Sequence, residues 1–144
     1  MSNRPASPQV FLLDANLLIA MCMPEHLHHG DSMCWLASIG KSVLALCAIS
    51  EGALVRQALR ENPRAGIANS IAILGAVKAW PDCQFWTDSL SYTEIDWRGV
   101  IGHKQVTDAY LVALAKLKNA QLASFDRGLA ALRPDVVHLV PIQA

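Results

Sequence analysis

Short apolar runs alternate along the chain with longer segments in which apolar residues recur every three or four positions. The runs at 10–13 and 43–46 are apolar at every position, which is typical of strands buried on both faces. We predict further strands at 84–87, 121–125 and 136–140. Because these runs alternate with helical segments, we predict an α/β fold with a central parallel sheet flanked by helices.

The helical spacing predicts helices at 17–22, 28–39, from about Ser50, 67–79 and 106–117. Residues 1–8 are expected to be a loose end, and residues 93–104 a loop that could include one helical turn. The residues expected to face the core are Met33, Leu36, Ile39, Leu54, Ala58, Leu59, Leu111, Leu114, Ala115 and Leu117. Thr107 is expected to cap the last helix, which places Asp108 in its first turn.

Composition indicates one packed domain. The chain has 144 residues, of which 53% are apolar and 17% charged, so a disordered chain is excluded. Basic and acidic residues are equal at 12 each. The four cysteines contain no C-x-x-C pair, so we expect neither a disulfide framework nor a zinc site but a reduced, cytoplasmic protein.

One apolar stretch, at 11–23, superficially resembles an export or membrane segment. Asp14 and Asn16 interrupt it, and it is shorter than the roughly 20 residues that a membrane helix needs. We therefore expect no membrane association.

Acidic side chains follow the predicted strands. Asp14, Glu51 and Asp126 each come at or just after a strand end, and Asp108 opens the helix that precedes the last of these strands. Because parallel strands present ligands at their carboxyl ends, we expect the four carboxylates to meet at one edge. Such a set needs cations for balance, and oxygen ligands favour Mg²⁺ or Mn²⁺. That chemistry suits phosphodiester hydrolysis.

Each acid also has a structural interpretation. Asp14 could cap a helix, although Asn16 could do this instead, and Asp126 could cap a helix or form a turn before Arg127. Asp108 could only stabilise a helix dipole, and Glu51 could be a solvated helix residue. The combination of all four is what favours a metal site.

The segments that carry these acids resemble the motifs of PIN domains, and most closely those of VapC toxins. The resemblance covers FLLDANLLI around Asp14, LALCAISEGALVR around Glu51, GHKQVTDAYLVALA around Asp108 and LASFDRGL around Asp126. The third segment is the most specific. The motifs follow in the family's order and span nearly the whole chain.

This resemblance implies a three-layer PIN-like fold, usually dimeric, spanning residues 1–144 as a single domain. It implies catalytic, metal-binding roles for Asp14, Glu51, Asp108 and Asp126, with Asn16 and Ser124 as supporting polar groups. Many relatives have Thr where Ser124 stands, and both residues carry the hydroxyl. VapC toxins cleave RNA with a divalent metal and are held inactive by a cognate antitoxin, whose tail lies in a groove and can reach the acidic site.

The remaining charge is then basic. Setting the four site acids aside leaves 8 acidic against 12 basic residues, a formal charge of +4. Arg56, Arg60, Lys104 and Arg127 lie near site residues in the sequence and are candidates for RNA phosphate contacts, with an ordinary solvated or antitoxin-facing surface as the alternative.

Other chemistry-bearing residues have simpler interpretations. The histidines His26, His28 and His29 lack the spacing of a metal site and are interpreted as a solvated helix start. Of the four tryptophans, Trp35 and Trp80 fit helical core positions; Trp86 and Trp97 are not assigned a binding role.

Two other functions compete with a metal-dependent endoribonuclease. One is a PIN-like domain that binds RNA without cleaving it, although the complete set of acids argues against this. The other is a phosphoacceptor or phosphatase with Asp14 as the nucleophile. Position 16 is Asn, so the paired aspartates of haloacid-dehalogenase phosphatases are absent.

Overall fold

The computed structural model describes residues 8–87 and 89–143. It contains five strands, β1 (Val10–Leu13), β2 (Val43–Cys47), β3 (Cys83–Trp86), β4 (Gln121–Ser124) and β5 (Val137–Leu139). All five predicted strands are therefore present, and no strand end differs from the prediction by more than one residue. The predicted loose end falls, apart from Pro8, outside the described residues.

The strands form one parallel sheet in the order β3-β2-β1-β4-β5. β1 is central, with Leu12 opposite Ala45 on one neighbour and Leu122 on the other. Successive strands are added on one side of β1 up to β3 and on its other side from β4, so the topological switch point lies between β1 and β4. The carboxyl ends of these two strands therefore border the crevice where α/β folds bind ligands.

In the described part of the chain, six helices connect the strands: α1 (Ala15–Cys22), α2 (His29–Ser38), α3 (Ala48–Glu61), α4 (Gly66–Lys78), α5 (Val106–Leu117) and α6 (Arg127–Leu132). The short 3-10 turns are Pro63–Ala65, Tyr92–Glu94 and His103–Gln105. α1 and α3 each begin about two residues earlier than predicted, and the sequence pattern did not predict α6. Helix α6 has only six residues and a single buried side chain, Leu129, so its apolar periodicity is too short to detect.

Alternation along β1 divides the core between the two faces of the sheet. Leu12 packs in one cluster with Tyr110 and Leu114 of α5, whereas Phe11 and Leu13 pack in a second cluster with side chains of α1 to α4. The sheet is therefore the middle of three layers, which confirms the predicted α/β class.

Several predicted core contacts are wrong. Met33, Leu59 and Leu117 are 40%, 36% and 53% exposed, because the described elements that pack against their helices leave these positions uncovered. Thr107 lies inside α5 and does not cap it: the residue before the helix is Gln105, whose side chain accepts hydrogen bonds from the amides of Ile101 and Gly102. Asp108 is nevertheless in the first turn, as expected.

Candidate metal centre

Asp14 is buried at the carboxyl end of β1, only 5% exposed. It is the N-cap of α1, where its Oδ1 accepts a hydrogen bond from the amide of Ala15 at 2.8 Å. Its Oδ2 accepts one from Ser124 Oγ at 2.6 Å. Burial raises the pKa of Asp14 in spite of these two hydrogen bonds, which act to lower it, and the charge of Asp126 raises it further.

Ser124 ends β4 beside Asp14 and connects two of the acids. Its hydroxyl donates to Asp14 and accepts from the amide of Asp126, with an N–O distance of 3.0 Å. The side chain is completely buried, so both hydrogen bonds are shielded from water. Ser124 thereby fixes the turn from β4 to Asp126 relative to the Asp14 carboxylate.

Asp126 is the exposed N-cap of α6. Its Oδ1 accepts a hydrogen bond from the amide of Leu129 at 3.0 Å. Within the described part of the chain no donor contacts its Oδ2, which leaves that oxygen free to bind a ligand. Asp14 and Asp126 therefore do cap helices, each through Oδ1, and the Oδ2 of each carboxylate takes no part in the cap.

Asp108 is half-buried on α5 and lacks a cationic partner among the described residues. Its pKa is raised to about 6, first by burial and then by the negative charges of Asp14 and Asp126. With Asp126 it lines a cavity of about 190 Å³, whose wall includes Gln105, Gly99 and Arg133. Three aspartates from three different elements therefore repel one another across this edge of the sheet.

Glu51 is not part of this group. It lies in the first turn of α3, where its Oε2 is 2.9 Å from Lys78 Nζ of α4 in an ion pair. Burial raises the pKa values of Asp14 and Asp108, and the charges that raise them further belong to aspartates and not to Glu51. The expected meeting of four carboxylates is thus seen for three. Lys78 lies at the end of α4, so the ion pair holds Glu51 towards that helix.

A divalent cation fits the remaining three acids. No salt bridge in residues 8–87 and 89–143 involves Asp14, Asp108 or Asp126, so their charge has no protein counterion there. Among the same residues, no three or more His, Cys, Asp or Glu side chains are arranged so that they could hold a metal ion as they stand. An open set of carboxylates suits Mg²⁺ or Mn²⁺, since Mg²⁺ keeps several water ligands and needs only one or two carboxylates directly.

Comparison with known proteins agrees with this geometry. The PIN domain family model matches residues 11–133. The chain belongs to the PIN domain family. It is 42% identical to Ribonuclease VapC29 of Mycobacterium tuberculosis over 130 residues, which cover 90% of this chain and 96% of that protein. It is 32% identical to Ribonuclease VapC38 of the same species, covering 84% of this chain and 88% of that one. Within the family it therefore groups with the VapC proteins.

Solved structures share the fold of this PIN domain. The crystal structure of Mycobacterium tuberculosis VapC20, described as a Sarcin-Ricin loop cleaving toxin, superposes with a TM-score of 0.65 at 18% identity and covers 91% of this chain and 99% of its own. VapBC2 from Rickettsia felis, bound to a promoter DNA fragment, gives 0.62 at 14% identity and covers 90% and 96%. Both confirm the three-layer arrangement.

The supporting and basic residues are placed unevenly around the PIN centre. Asn16 is exposed in the first turn of α1, and within the described chain it makes no hydrogen bond to Asp14. Arg56 and Arg60 lie exposed on successive turns of α3 and line a separate surface cavity. Lys104 is exposed in the turn before α5, and Arg127 is exposed directly after Asp126.

Sequence reasoning missed Arg133, which closes the cavity from the end of α6. Its guanidinium is buried and donates to the backbone carbonyls of Asp96, Arg98 and Leu132. It thereby fastens the loop after β3 to α6. The only available signal was Gly99, an isolated glycine in that polar loop: it has φ of +82°, and an added Cβ would lie 2.4 Å from Leu132 Cδ1.

The histidine and tryptophan residues have mostly local partners. His28 Nδ1 lies 3.1 Å from Asp31 Oδ2, His29 Nδ1 lies 2.8 Å from the carbonyl of Ala20, and His26 Nδ1 accepts from the amide of His28. Trp35 is buried, as predicted, and Trp80 packs half-buried against the same core cluster. These residues support the start of α2 and the packing of the sheet.

Two features bear on the expected environment of the protein. Cys22, Cys34, Cys47 and Cys83 are free thiols in the structure. Among the residues that the structure describes, none of the helices combines the length and apolarity needed to cross a bilayer.

Proposed function

We propose that this chain is a divalent-metal-dependent endoribonuclease and the toxin of a type II toxin–antitoxin pair. The observation that carries the proposal is the meeting of Asp14, Asp108 and Asp126 at the carboxyl edge of the sheet without a protein counterion. Its kinship with proteins named as VapC ribonucleases supports RNA as the substrate.

Asp14, Asp108 and Asp126 would hold the cation, through the carboxylate oxygens that their capping hydrogen bonds leave available. Once bound, a divalent cation supplies positive charge that stabilises a phosphodiester under attack and favours ionisation of a water molecule. Either Mg²⁺ or Mn²⁺ matches an all-oxygen donor set, and Mg²⁺ is our first choice because hard carboxylates suit it.

Two residues of the chain hold the acids and the cavity wall in position. Ser124 holds the Asp14 carboxylate and the amide of Asp126 in one hydrogen-bonded unit, so these acids are positioned before a substrate arrives. Arg133 holds the loop wall of the cavity that Asp108 and Asp126 line. Both devices reduce the reorganisation that binding requires.

Glu51 remains a fourth candidate ligand because of the PIN motif that carries it. Its ion pair with Lys78 is partly exposed on the lysine side, with 43% of the Lys78 side chain accessible. The Glu51 carboxylate itself is only 16% accessible, so a cation that binds it would have to replace Lys78 as its counterion. Asn16 is retained in the proposal as a polar group of the same motif.

RNA would approach over the basic residues near the centre. Lys104 precedes α5 and Arg127 follows Asp126, so both stand beside the aspartates in the chain and are exposed. Arg56 and Arg60 offer a second pair of cations one helical turn apart on α3. We assign phosphate contacts to these four residues.

We also infer the partners and location of the protein. A cognate antitoxin is expected, and the structural likeness to VapBC2 of Rickettsia felis supports a partner of this kind. A homodimer is expected from the family. The four free thiols suit a reducing compartment, so we place the protein in the cytoplasm without a membrane association.

One observation favours a second candidate, an RNA-binding PIN domain that does not cleave. Glu51 is paired with Lys78 and stands apart from the other three acids, and a centre that lacks one carboxylate could bind RNA without hydrolysing it. The two candidates differ in a single measurable property, metal-dependent cleavage.

The test is incubation of a mixed cellular RNA pool with antitoxin-free protein and Mg²⁺ or Mn²⁺, beside an EDTA control and the Asp14→Asn variant. Asparagine keeps the shape of Asp14 and an oxygen for Ser124, so the variant is expected to fold. Discrete products that require both the metal and Asp14 support the ribonuclease. RNA that stays intact but is bound by folded, metal-loaded protein supports the second candidate.

A further inference from the structure

Two exposed aromatic rings lie together in the loop that leads to the acidic cavity. The rings of Tyr92 and Trp97 are nearly parallel, with an interplanar angle of 13° and centroids 6.3 Å apart. Tyr92 is 49% exposed and Trp97 is 36% exposed. Large aromatic side chains usually bury most of their surface, so a stacked pair left open to solvent offers a flat apolar surface to a ligand.

The pair is held rigidly. Trp97 Nε1 donates to the carbonyl oxygen of Tyr92 at 3.0 Å, so its only polar atom is already satisfied. On its inner side the Tyr92 ring contacts the ring of Tyr110, with centroids 5.0 Å apart, and Tyr110 is buried on α5. The exposed part of Trp97 is therefore ring surface in a fixed orientation, which costs little conformational entropy on binding.

The pair is also next to the cavity. Gly99 and Val100 line the cavity with Asp108 and Asp126, and the amide of Val100 donates to the carbonyl of Trp97 at 3.0 Å. Two peptide units separate Trp97 from Gly99, so their Cα atoms are at most about 7.6 Å apart. This is on the scale of one nucleotide step.

Arg133 fixes this position relative to the acids. Its guanidinium binds the carbonyls of Asp96 and Arg98, the residues on either side of Trp97. Arg133 itself ends α6, the helix that Asp126 begins. The aromatic pair and the acidic centre are thus connected through one short helix.

The surroundings of the pair carry little net charge. Glu94 and Asp96 are balanced by Arg98 and by the buried Arg133, which lies 3.7 Å from the Asp96 carboxylate. A ligand held here would therefore gain from stacking rather than from charge attraction. This distinguishes the pair from the phosphate contacts assigned to Lys104 and Arg127.

We propose that Trp97, supported by Tyr92, is a stacking platform for an unpaired RNA base adjacent to the phosphate at the acidic centre. The proposal rests on the ribonuclease function proposed above. Single-stranded RNA is recognised by stacking of splayed bases on aromatic side chains, which is sequence-tolerant because every base has a π face. The platform would select unpaired over double-stranded RNA.

The test measures RNA binding in the Asp14→Asn background with Mg²⁺ present, using a fluorescently labelled single-stranded RNA of randomised sequence. Trp97→Ala is expected to weaken binding about 10-fold or more, whereas Trp97→Phe, which keeps a flat ring, retains most of it. The dependence of log Kd on log salt should not change, because no phosphate contact is lost. Ile71→Ala is the control: Ile71 is 52% exposed on α4, and its loss should leave the affinity unaltered.

Equal affinity of folded Trp97→Ala and its parent would overturn the proposal, as would a reduced salt dependence. A second readout avoids reliance on the alanine variant: ¹⁹F NMR of the protein labelled with 5-fluorotryptophan, with the Trp97 signal assigned through Trp97→Phe. RNA should shift that signal. A Trp97 signal that does not shift at saturating RNA contradicts the platform. A signal that shifts with protein concentration alone, without RNA, shows that a second copy of the chain covers Trp97 and also contradicts the platform.

The failure of this proposal can be told apart from failure of the proposed function. If wild-type protein cleaves RNA and Trp97→Ala binds and cleaves equally well, only the platform is wrong. If wild-type protein cleaves nothing while RNA still shifts the Trp97 signal, the platform stands as part of an RNA-binding domain.

Discussion

Replacement of Asp108 by asparagine should stabilise the metal-free protein while abolishing cleavage. Asp108 is raised in pKa to about 6 by burial and by the charges of Asp14 and Asp126. The ionised carboxylate is therefore unfavourable in the folded state, and it persists because the proposed cation compensates it. Asparagine has almost the same shape and no charge, so it removes the repulsion without creating a cavity.

The size of the effect follows from the pKa shift. A rise from 3.8 to about 6 would correspond to an upper limit of about 3 kcal/mol at a pH well above 6. Asp108 is only half-buried, and solvent screening reduces this to about 1–1.5 kcal/mol. For a chain of this size the increase in Tm is then about 3–5 °C.

The direction of the pKa shift sets the pH range over which Asp108→Asn is more stable than the wild type. Because the folded-state pKa is above the unfolded-state value, the folded protein holds the proton more tightly, and wild-type stability falls as pH rises between about 4 and 6. The advantage of Asp108→Asn should therefore reach its full size well above pH 6 and vanish below about pH 4, where the carboxyl group is protonated in both states.

The assay is urea and thermal unfolding of both proteins across this pH range, first in EDTA and then with Mg²⁺. A cation at 100 times its Kd stabilises the wild type by about 2.7 kcal/mol, so Mg²⁺ should reverse the order of stability. A variant that is no more stable than wild type at neutral pH in EDTA would refute the electrostatic reasoning. An advantage that persists at acidic pH would attribute it to packing instead.

Three further substitutions test other parts of the centre. Ser124→Ala removes the hydrogen bonds to Asp14 and to the amide of Asp126, so it should lower the free energy of unfolding in urea by about 1–3 kcal/mol and abolish most of the cleavage rate. Ser124→Thr keeps the hydroxyl and should retain both stability and cleavage. Wild-type stability of the alanine variant would show that water replaces the hydroxyl. Gly99→Ala should lower the free energy of unfolding by about 1–3 kcal/mol and raise KM, because φ is +82° and the added Cβ would lie 2.4 Å from Leu132 Cδ1. An unchanged KM would mean that this loop takes no part in substrate binding. Glu51→Gln should reduce Mg²⁺-dependent cleavage, whereas Lys78→Met should leave cleavage at or above the wild-type rate. An equal loss of cleavage in the two variants would mean that Glu51 contributes only through its ion pair with Lys78.

The strands and the composition of the centre were readable from the chain. Runs such as 10–13 are apolar at every position because both faces of a central parallel strand are covered, and this pattern is local. The acids at 14 and 126 stand out because a charge that directly follows a buried strand is costly unless it serves a purpose. Resemblance to PIN motifs supplied the order and the roles.

Core faces were predicted less well, for a physical reason. Leu54 and Ala58 are buried as expected, whereas Leu59 and Leu117 are exposed. Helical spacing identifies an apolar stripe, but the width of that stripe that becomes covered depends on which neighbouring element packs over it. That information lies elsewhere in the chain.

Only the tertiary structure decided which charges meet. Sequence position made Glu51 equivalent to the three aspartates, yet a lysine 27 residues later, on a different helix, binds its carboxylate. Sequence reasoning likewise missed Arg133 and assigned no binding role to Trp97, because the contacts of both residues depend on a loop that folds back onto α6. Hydrophobic periodicity is set residue by residue along the chain, whereas ion pairs and cavity walls arise between segments far apart in sequence, and their energies are defined only once those segments have packed.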